Sequence, residues 1–438
     1  MGVASLCVYA GLLVYLSRRS RSHAENACSS FFVNNRSASA VGVAFSLIVS
    51  CVGASATMGM VGMAWSAGTP AFWWLGAGAA GLTVLAIFLA AKVRESGSYT
   101  MPEMVEKLLG PHARSLVSVI IVVAWMGILA AQFSALGKLV ASLAGVSALP
   151  CLGIAFVLIV GHTLGGQAVV MRTDRLQFYI LAGGIGILLY WLSANNPGWT
   201  GGVRIEAVNA RFGVSDLLHC LFVVGGNYLV CPMLFGRFLS ARDSGAARRG
   251  GLLAGLGLSL CGALIVAVGL ACRGLVAADT PPDAVLTAAL DTAFPRWLAV
   301  LVLIALVSAV VSSADSCLVT AATVLGYDLL RTEKVGVCRL CVVGLGVVGA
   351  LLTFMEKDIL GFLFMAYDIY VAGVVMPVFI AILFSRGHVA RRGFALAAIA
   401  VGGVLGGLAA LMGEPAYSLA GMGVSTLLAV AGVVKRRA

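Results

Sequence analysis

The run Ala309-Val310-Val311-Ser312-Ser313-Ala314-Asp315-Ser316-Cys317 holds the densest group of oxygen donors inside an apolar stretch of this 438-residue chain. At helical spacing, positions 309, 312, 313, 316 and 320 fall on one side, offering a backbone carbonyl, three serine hydroxyls and Thr320. Hard oxygen ligands of this kind suit Na+, which has no preference for nitrogen or sulfur. Helix–helix hydrogen bonds would account for two serines, but Asp315 adds a carboxylate at depth, where ionisable groups are costly and mark function. A second group, 46–57 (SLIVSCVGASAT), mixes Gly, Ser, Ala and Thr. Such a stretch either packs helices closely or unwinds and exposes carbonyls to a cavity. Asp174, in MRTDRLQ, reads as an acid favoured by a helix N-terminus at the membrane surface or as an ion ligand. Asp368, in AYDIY, is a proton or substrate site or a polar pin between helices. Gln132, Asn227 and Tyr228 carry the same ambiguity. The five histidines (His23, His112, His162, His219, His388) are scattered with no HExxH-like spacing, and no catalytic set is visible, so an enzyme is not expected.

The elements that must position these groups are membrane helices. The chain is 61 % hydrophobic and only 11 % charged, too little charge to cover a soluble surface. Its apolar residues fall in repeated runs of bilayer-spanning length, which predict an all-α polytopic protein with about thirteen transmembrane helices. They are 2–16, 42–66, 72–92, 113–143, 149–166, 173–193, 216–236, 250–274, 297–327, 337–354, 359–383, 393–412 and 417–434. The first is the shortest. Unbroken apolar runs exclude a β-barrel, whose strands would alternate.

The net charge of +11 does not point to nucleic acid, because the basic residues lie in short loops between apolar runs. With the N-terminus outside, 23 of the 29 Lys and Arg fall in the segments 17–41, 92–114, 167–175, 237–249, 328–339, 384–392 and 435–438. Lys138, Arg204, Arg211, Arg273, Arg296 and Lys357 remain on the other side. That bias predicts N-out, C-in insertion in the cell membrane. The eleven cysteines sit mostly inside apolar runs and read as small buried side chains. In 98–103 (SYTMPE), Thr100 suits an N-cap, Pro102 the first turn and Glu103 the third position of a capping box. The segments 194–215 and 275–295 read as polar external loops.

Five stretches together resemble the sodium:solute symporter family, which includes proline, pantothenate, sugar and sialic-acid carriers. They are SLIVSCVGASATMGMVG (46–62), YTMPEMVEKLLG (99–110), GGQAVVMRTDRLQ (165–177), GRFLSARDSGAARRG (236–250) and AVVSSADSCLVTAATVLGYDLL (309–330). The resemblance implies a LeuT-like five-plus-five inverted repeat. An extra helix with its linker (1–41) would precede the first repeat (42–193). An external loop (194–215) and the second repeat (216–383) would follow, then two peripheral helices (384–438). It also implies that the first helices of the two repeats are broken at a central site.

One Na+ would then be held by the carbonyls of Val49, Val52 and Ala309 and the hydroxyls of Ser312 and Ser313. A second Na+, bound by some members, would fall on Asp174, Ser312, Asp315 and Ser316. The sialic-acid pattern has serine where this chain has Asp315, and serine and threonine at Gly53 and Ala56. The proline pattern has aspartate at Cys51. Neither solute is therefore assigned.

The expected activity is Na+-coupled symport by alternating access, with one or two Na+ as coupling ions and a small organic solute, an amino acid or short carboxylate, as cargo. Membrane lipid is the other expected partner, with no nucleic acid and no obligate protein partner. Candidate solute contacts are Cys51, Trp74, Gln132, Asn227, Tyr228 and Tyr367. No basic side chain is evident in mid-span, although Lys138 and His219 fit the outer mouth. The alternative is a proton-coupled symporter using Asp315, Asp174 or Asp368. A channel would show a pore loop or a repeated polar lining, and neither is present.

Overall fold

A computed structural model describes residues 2–21, 27–355, 359–385 and 388–435. Lys357, His23, Arg386, Arg436 and Arg437 lie outside the described residues. Each of the thirteen apolar runs is helical. In chain order they are α1 (Gly2–Arg21), α2 (Ala40–Cys51 continued by Ser55–Ala67), α3 (Thr69–Phe88), α4 (Pro111–Ala144), α5 (Ala148–Thr163) and α6 (Gln167–Asn195). Then follow α7 (Val214–Leu239), α8 (Ser244–Ala271), α9 (Arg296–Leu329), α10 (Val335–Met355), α11 (Ile359–Leu383), α12 (Arg392–Met412) and α13 (Pro415–Ala431).

Thirteen membrane crossings do not all follow from length. Among the described residues, nine helices are long and apolar enough to cross a bilayer, or ten with the two halves of α2 taken as one span bent by 60°. α1, α5 and α13 have apolar cores of only 10–17 residues, short of the roughly 20 that a 30 Å hydrocarbon layer requires.

Several boundaries move for local reasons. The last helix stops at Ala431 instead of 434, because Val433–Lys435 pairs antiparallel with His388–Ala390 and the Gly432 carbonyl accepts from Arg391 N. α6 starts at Gln167, just after Gly166 at φ 73°, not near 173. The segment 275–295, expected to be an external loop, folds a short helix, Val285–Ala293. At the arginine-rich end, Thr100 caps Met101–Leu109 by accepting from Glu103 N at 3.1 Å. The return bond from Glu103 goes to Tyr99 N (2.7 Å), one residue earlier than a regular capping box.

The bundle centres on α9, which packs against α6, α4 and α2 and buries most of its length. Lipid offers helices no hydrophobic drive to associate, so close approach through small residues has to supply the contact. α3 and α7 meet backbone to backbone at Gly81 and Gly225, where a side chain on Gly81 would run into the Gly225 carbonyl.

Candidate functional site

Two helices, α2 and α7, are interrupted in mid-span. The N-terminal half of α2 ends at Cys51, and Val52 leaves helical geometry at φ −93°, ψ 65°. Gly53 follows, and a Cβ there would strike the Ser313 side chain and sit 3.0 Å from Gln132 Oε1. Gln132 in turn accepts from Ala54 N at 3.1 Å, satisfying an amide that the break removes from the helical ladder. In α7 the break falls at Val230 (φ −137°, ψ 77°) and Cys231 (φ −110°, ψ 122°). Pro232 restarts the helix at a position where it needs no N–H. Tyr370 donates its hydroxyl to the Val230 carbonyl. The C-terminal half of α2 and the N-terminal half of α7 each carry a widened π turn, Ser55–Gly59 and Cys220–Val224, a distortion that recurs at functional sites.

Between the breaks lies a small cavity of about 40 Å³. Of the six predicted solute contacts, Cys51, Gln132, Asn227, Tyr228 and Tyr367 line it. Trp74 stands behind the wall, stacked on Tyr367 with centroids 6.2 Å apart. Sequence reading missed Trp125, Ser55, Cys231 and Cys317, which also line the cavity. Trp125 gave no signal because it sits in the long apolar run of α4, where an aromatic reads as lipid-facing or core. No charged side chain among the described residues lines this cavity.

Ser313 joins the cavity to the residues expected to hold the first cation. Its hydroxyl donates to the Ser50 carbonyl at 2.8 Å and lies 3.5 Å from the Val49 carbonyl. Val49, Val52, Ala309 and Ser312 are all fully buried beside it. Ser312 donates to Asp174 Oδ1 at 3.0 Å. The set is all oxygen and lies where the C-terminal, negative end of a half-helix meets a neighbouring helix, an arrangement that suits a monovalent cation.

The second predicted group is arranged around a residue that the sequence reading placed in a cytoplasmic loop. Arg237, counted there among the loop cations, is fully buried, as are Asp174 and Asp315. It stands in the last turn of α7, yet its whole side chain is buried in the bundle, where a surface cation was expected. The C-terminal half of α7 runs on to Leu239, and Leu234, Phe235 and Phe238 of the same turn are buried with the arginine. Its Nε donates to Ser46 Oγ (2.8 Å), Nη1 to Gln167 Oε1 (3.0 Å) and Nη2 to Ser50 Oγ (3.1 Å) and to Ser316 Oγ. Nη2 also lies 3.5 Å from Asp174 Oδ2, which accepts from Ser46. Asp174 is thus seven residues into α6 and pairs inward, not an acid at a helix start on the surface. Asp315 faces away from this cluster, paired with His162 Nδ1 and accepting from Thr163 Oγ1 at 3.0 Å.

Asp368 belongs to a separate cavity with Asp216, His219 and Arg211, so it is not brought to the central site. His219 meets Phe364 edge to face there, and Lys138 pairs with Asp283 at 3.3 Å. At the arginine-rich end, Arg114 bridges Asp328 (2.8 Å) and Glu106, Arg331 reaches Glu106 (3.2 Å), and Thr100 donates to Asp328 (2.9 Å). The hydrogen bond from Arg114, with Arg331 nearby, holds the Glu106 carboxyl below the usual carboxylate value.

The fold recurs in known proteins. A family model described as the sodium:solute symporter family matches residues 31–201. The high-affinity choline transporter 1 of Caenorhabditis elegans is 22 % identical over 368 residues, covering 76 % of this chain. The chain spans 62 % of that relative's length. A solved structure of a Na+-coupled sialic acid symporter, in a substrate-bound outward-open state, superposes with a TM-score of 0.82 at 16 % identity and covers 99 % of both chains. MhsT in complex with L-phenylalanine gives 0.62 at 16 % identity, over 90 % of this chain and 98 % of that one. A whole-chain likeness shows that the chain has the fold of these two transporters, and its residues 31–201 match the sodium:solute symporter family model.

Proposed function

We propose that the chain is a Na+-coupled symporter of a small organic solute that works by alternating access in the plasma membrane. The observation that carries this reading is the double role of Ser313, whose hydroxyl meets the last turn of the N-terminal half of α2 while its side chain lines the central cavity. An ion on Val49, Val52, Ala309, Ser312 and Ser313 would fix α2 against α9 and so shape the wall the solute touches. Ion and solute then each favour the other's binding, a coupling that is reciprocal by thermodynamic necessity. Entry of one Na+ down a membrane potential contributes about 2.3 kcal/mol per 100 mV, and the Na+ gradient adds to this.

Topologically, the proposal keeps thirteen crossings with the N-terminus outside, the three shorter helices spanning with their polar flanks. The repeats are 42–193 and 216–383. The arginine-rich end with Arg114 and Glu106 is then cytoplasmic.

The cargo favoured is an amino acid or short carboxylate. The cavity offers aromatic rings, thiols and amides and no side-chain charge, so a solute carboxylate would be met by Na+ and by half-helix N-termini at the breaks. Choline, sialic acid and phenylalanine enter the test set because the similar proteins are described by them.

The test is uptake into proteoliposomes of these three solutes together with labelled amino acids and short carboxylates, with and without an inward Na+ gradient. One solute whose uptake requires Na+ and is lost in S312A/S313A establishes the reading. A second reading, proton coupling through Asp315, Asp174 or Asp368, draws on the buried Asp315–His162 pair. Uptake that ignores Na+ and follows the pH gradient would replace the first reading by the second.

A further inference from the structure

Four residues were expected to bind a second Na+: Asp174, Ser312, Asp315 and Ser316. Their contacts do not fit that ion. Ser316 Oγ accepts from Arg237 Nη2, and Asp174 Oδ2 lies 3.5 Å from the same nitrogen. The other oxygen of Asp174 is taken by Ser312. Asp315 is turned to His162 and Thr163. Around the guanidinium, Ser46, Ser50 and Gln167 complete a shell of five side chains from α2, α6 and α9, all buried.

We propose that Arg237 is a built-in cation standing in for a second Na+, so that this carrier binds a single Na+ per chain. The proposal rests on the Na+-coupled reading above. A guanidinium carries its charge at every physiological pH and presents five donors in a fixed fork. In a cluster that contains one carboxylate and four neutral oxygen donors, it neutralises Asp174 without taking an ion from solution. A Na+ added between Asp174 and Ser316 would face the guanidinium at contact distance in a dry interior, where like charges repel strongly.

The arrangement also says what the second charge does. In a carrier with two ions, the second arrives and leaves with each cycle and contributes to the driving force. A cation tethered to α7 by its own backbone holds α2, α6, α7 and α9 together permanently and moves no charge down the gradient. The solute gradient such a carrier can sustain is that of one Na+.

The experiment is equilibrium binding of 22Na+ to the purified full-length chain in detergent, read as ions per chain at saturation. One ion, lost in S312A/S313A and retained in D174N, supports the proposal. Two ions in the wild-type chain overturn it and leave Na+ coupling intact. A fall in the saturating count in D174N also overturns it, because Asp174 would then be an ion ligand rather than the partner of Arg237. No bound ion, together with Na+-independent uptake, overturns the coupling reading and this inference with it. The wild-type count decides the matter even where a variant fails to fold.

Discussion

The hydroxyl of Ser313 and the carbonyl of Ser50 are 2.8 Å apart, and this one bond ties α9 to the last turn before the break in α2. A carbonyl at the end of a half-helix has lost its regular partner four residues on, so it is free to accept from a neighbour or to face an ion. Ser313→Ala removes that contact together with a proposed ion ligand. Losing one buried hydrogen bond costs about 1–3 kcal/mol when the partner is left unsatisfied, and about 1.4 kcal/mol is tenfold in affinity. Na+ titration of 22Na+ binding is therefore expected to shift to roughly five- to a hundredfold higher concentration in S313A, with the folded fraction unchanged. An unshifted curve would remove Ser313 from the ion site.

Gly53 is the position where the break tolerates least. Its hypothetical Cβ overlaps the Ser313 side chain and lies 3.0 Å from Gln132 Oε1, so Gly53→Ala pushes α2 away from α9 and from the residue that satisfies Ala54 N. At Gly183, by contrast, an added Cβ meets nothing within 4 Å. Na+-dependent solute uptake is expected to fall at least tenfold in G53A and to stay within twofold of wild type in G183A. Equal behaviour of the two variants would mean that the tight approach of α2 to Ser313 is not needed for transport.

The small and hydroxyl residues of 46–57 allowed either close packing or a break, and the break in α7 followed only from the family resemblance; five of the six expected solute contacts line the cavity. What was not legible is where the charges end up. Asp315 and Ser316 are neighbours in sequence, yet a helical step of about 100° sends one to His162 and the other to Arg237. Arg237 escaped because its neighbours in GRFLSARD look like a basic loop, and a cation at the end of an apolar run ordinarily marks the membrane surface. Only the continuation of the helix to Leu239, with Phe235 and Phe238 packed around it, carries the residue inside. Similarly, Asp368 read as a proton or substrate site or a polar pin between helices, and only the tertiary path of α11 puts it in the separate cavity with His219.

The Arg237–Asp174 pair gives a stability prediction of definite sign. Removing one partner of a buried ion pair leaves an uncompensated charge and typically costs about 3–5 kcal/mol. Arg237→Gln is therefore expected to lower the thermal unfolding midpoint in detergent markedly. The double variant R237Q/D174N removes both charges and is expected to recover a large part of the loss, since residues in one network couple. Additive losses in the cycle would show that the two side chains stabilise the bundle independently, through packing and their separate serine contacts.

At the arginine-rich end, Glu106 supplies a pH dependence whose sign is fixed by its environment. The hydrogen bond from Arg114, reinforced by the charges of Arg114 and Arg331, holds its carboxyl below the ordinary value of 4.5. A group whose folded pKa is depressed stabilises the fold at pH above its unfolded value and loses that contribution as pH falls through the folded value. The stability difference between the wild-type chain and E106Q should thus be full near neutrality and begin to shrink as pH drops below about 4.5. Thermal unfolding of both proteins in detergent, followed from pH 7 down to the lowest pH at which both remain folded, checks this. Asp328, which also accepts from Thr100, still holds Arg114 in the variant, so the helix Met101–Leu109 should remain docked at neutral pH. A wild-type advantage that grows as pH falls would contradict the assigned pairing, because it would require a Glu106 that is protonated more readily in the folded chain than in the unfolded one.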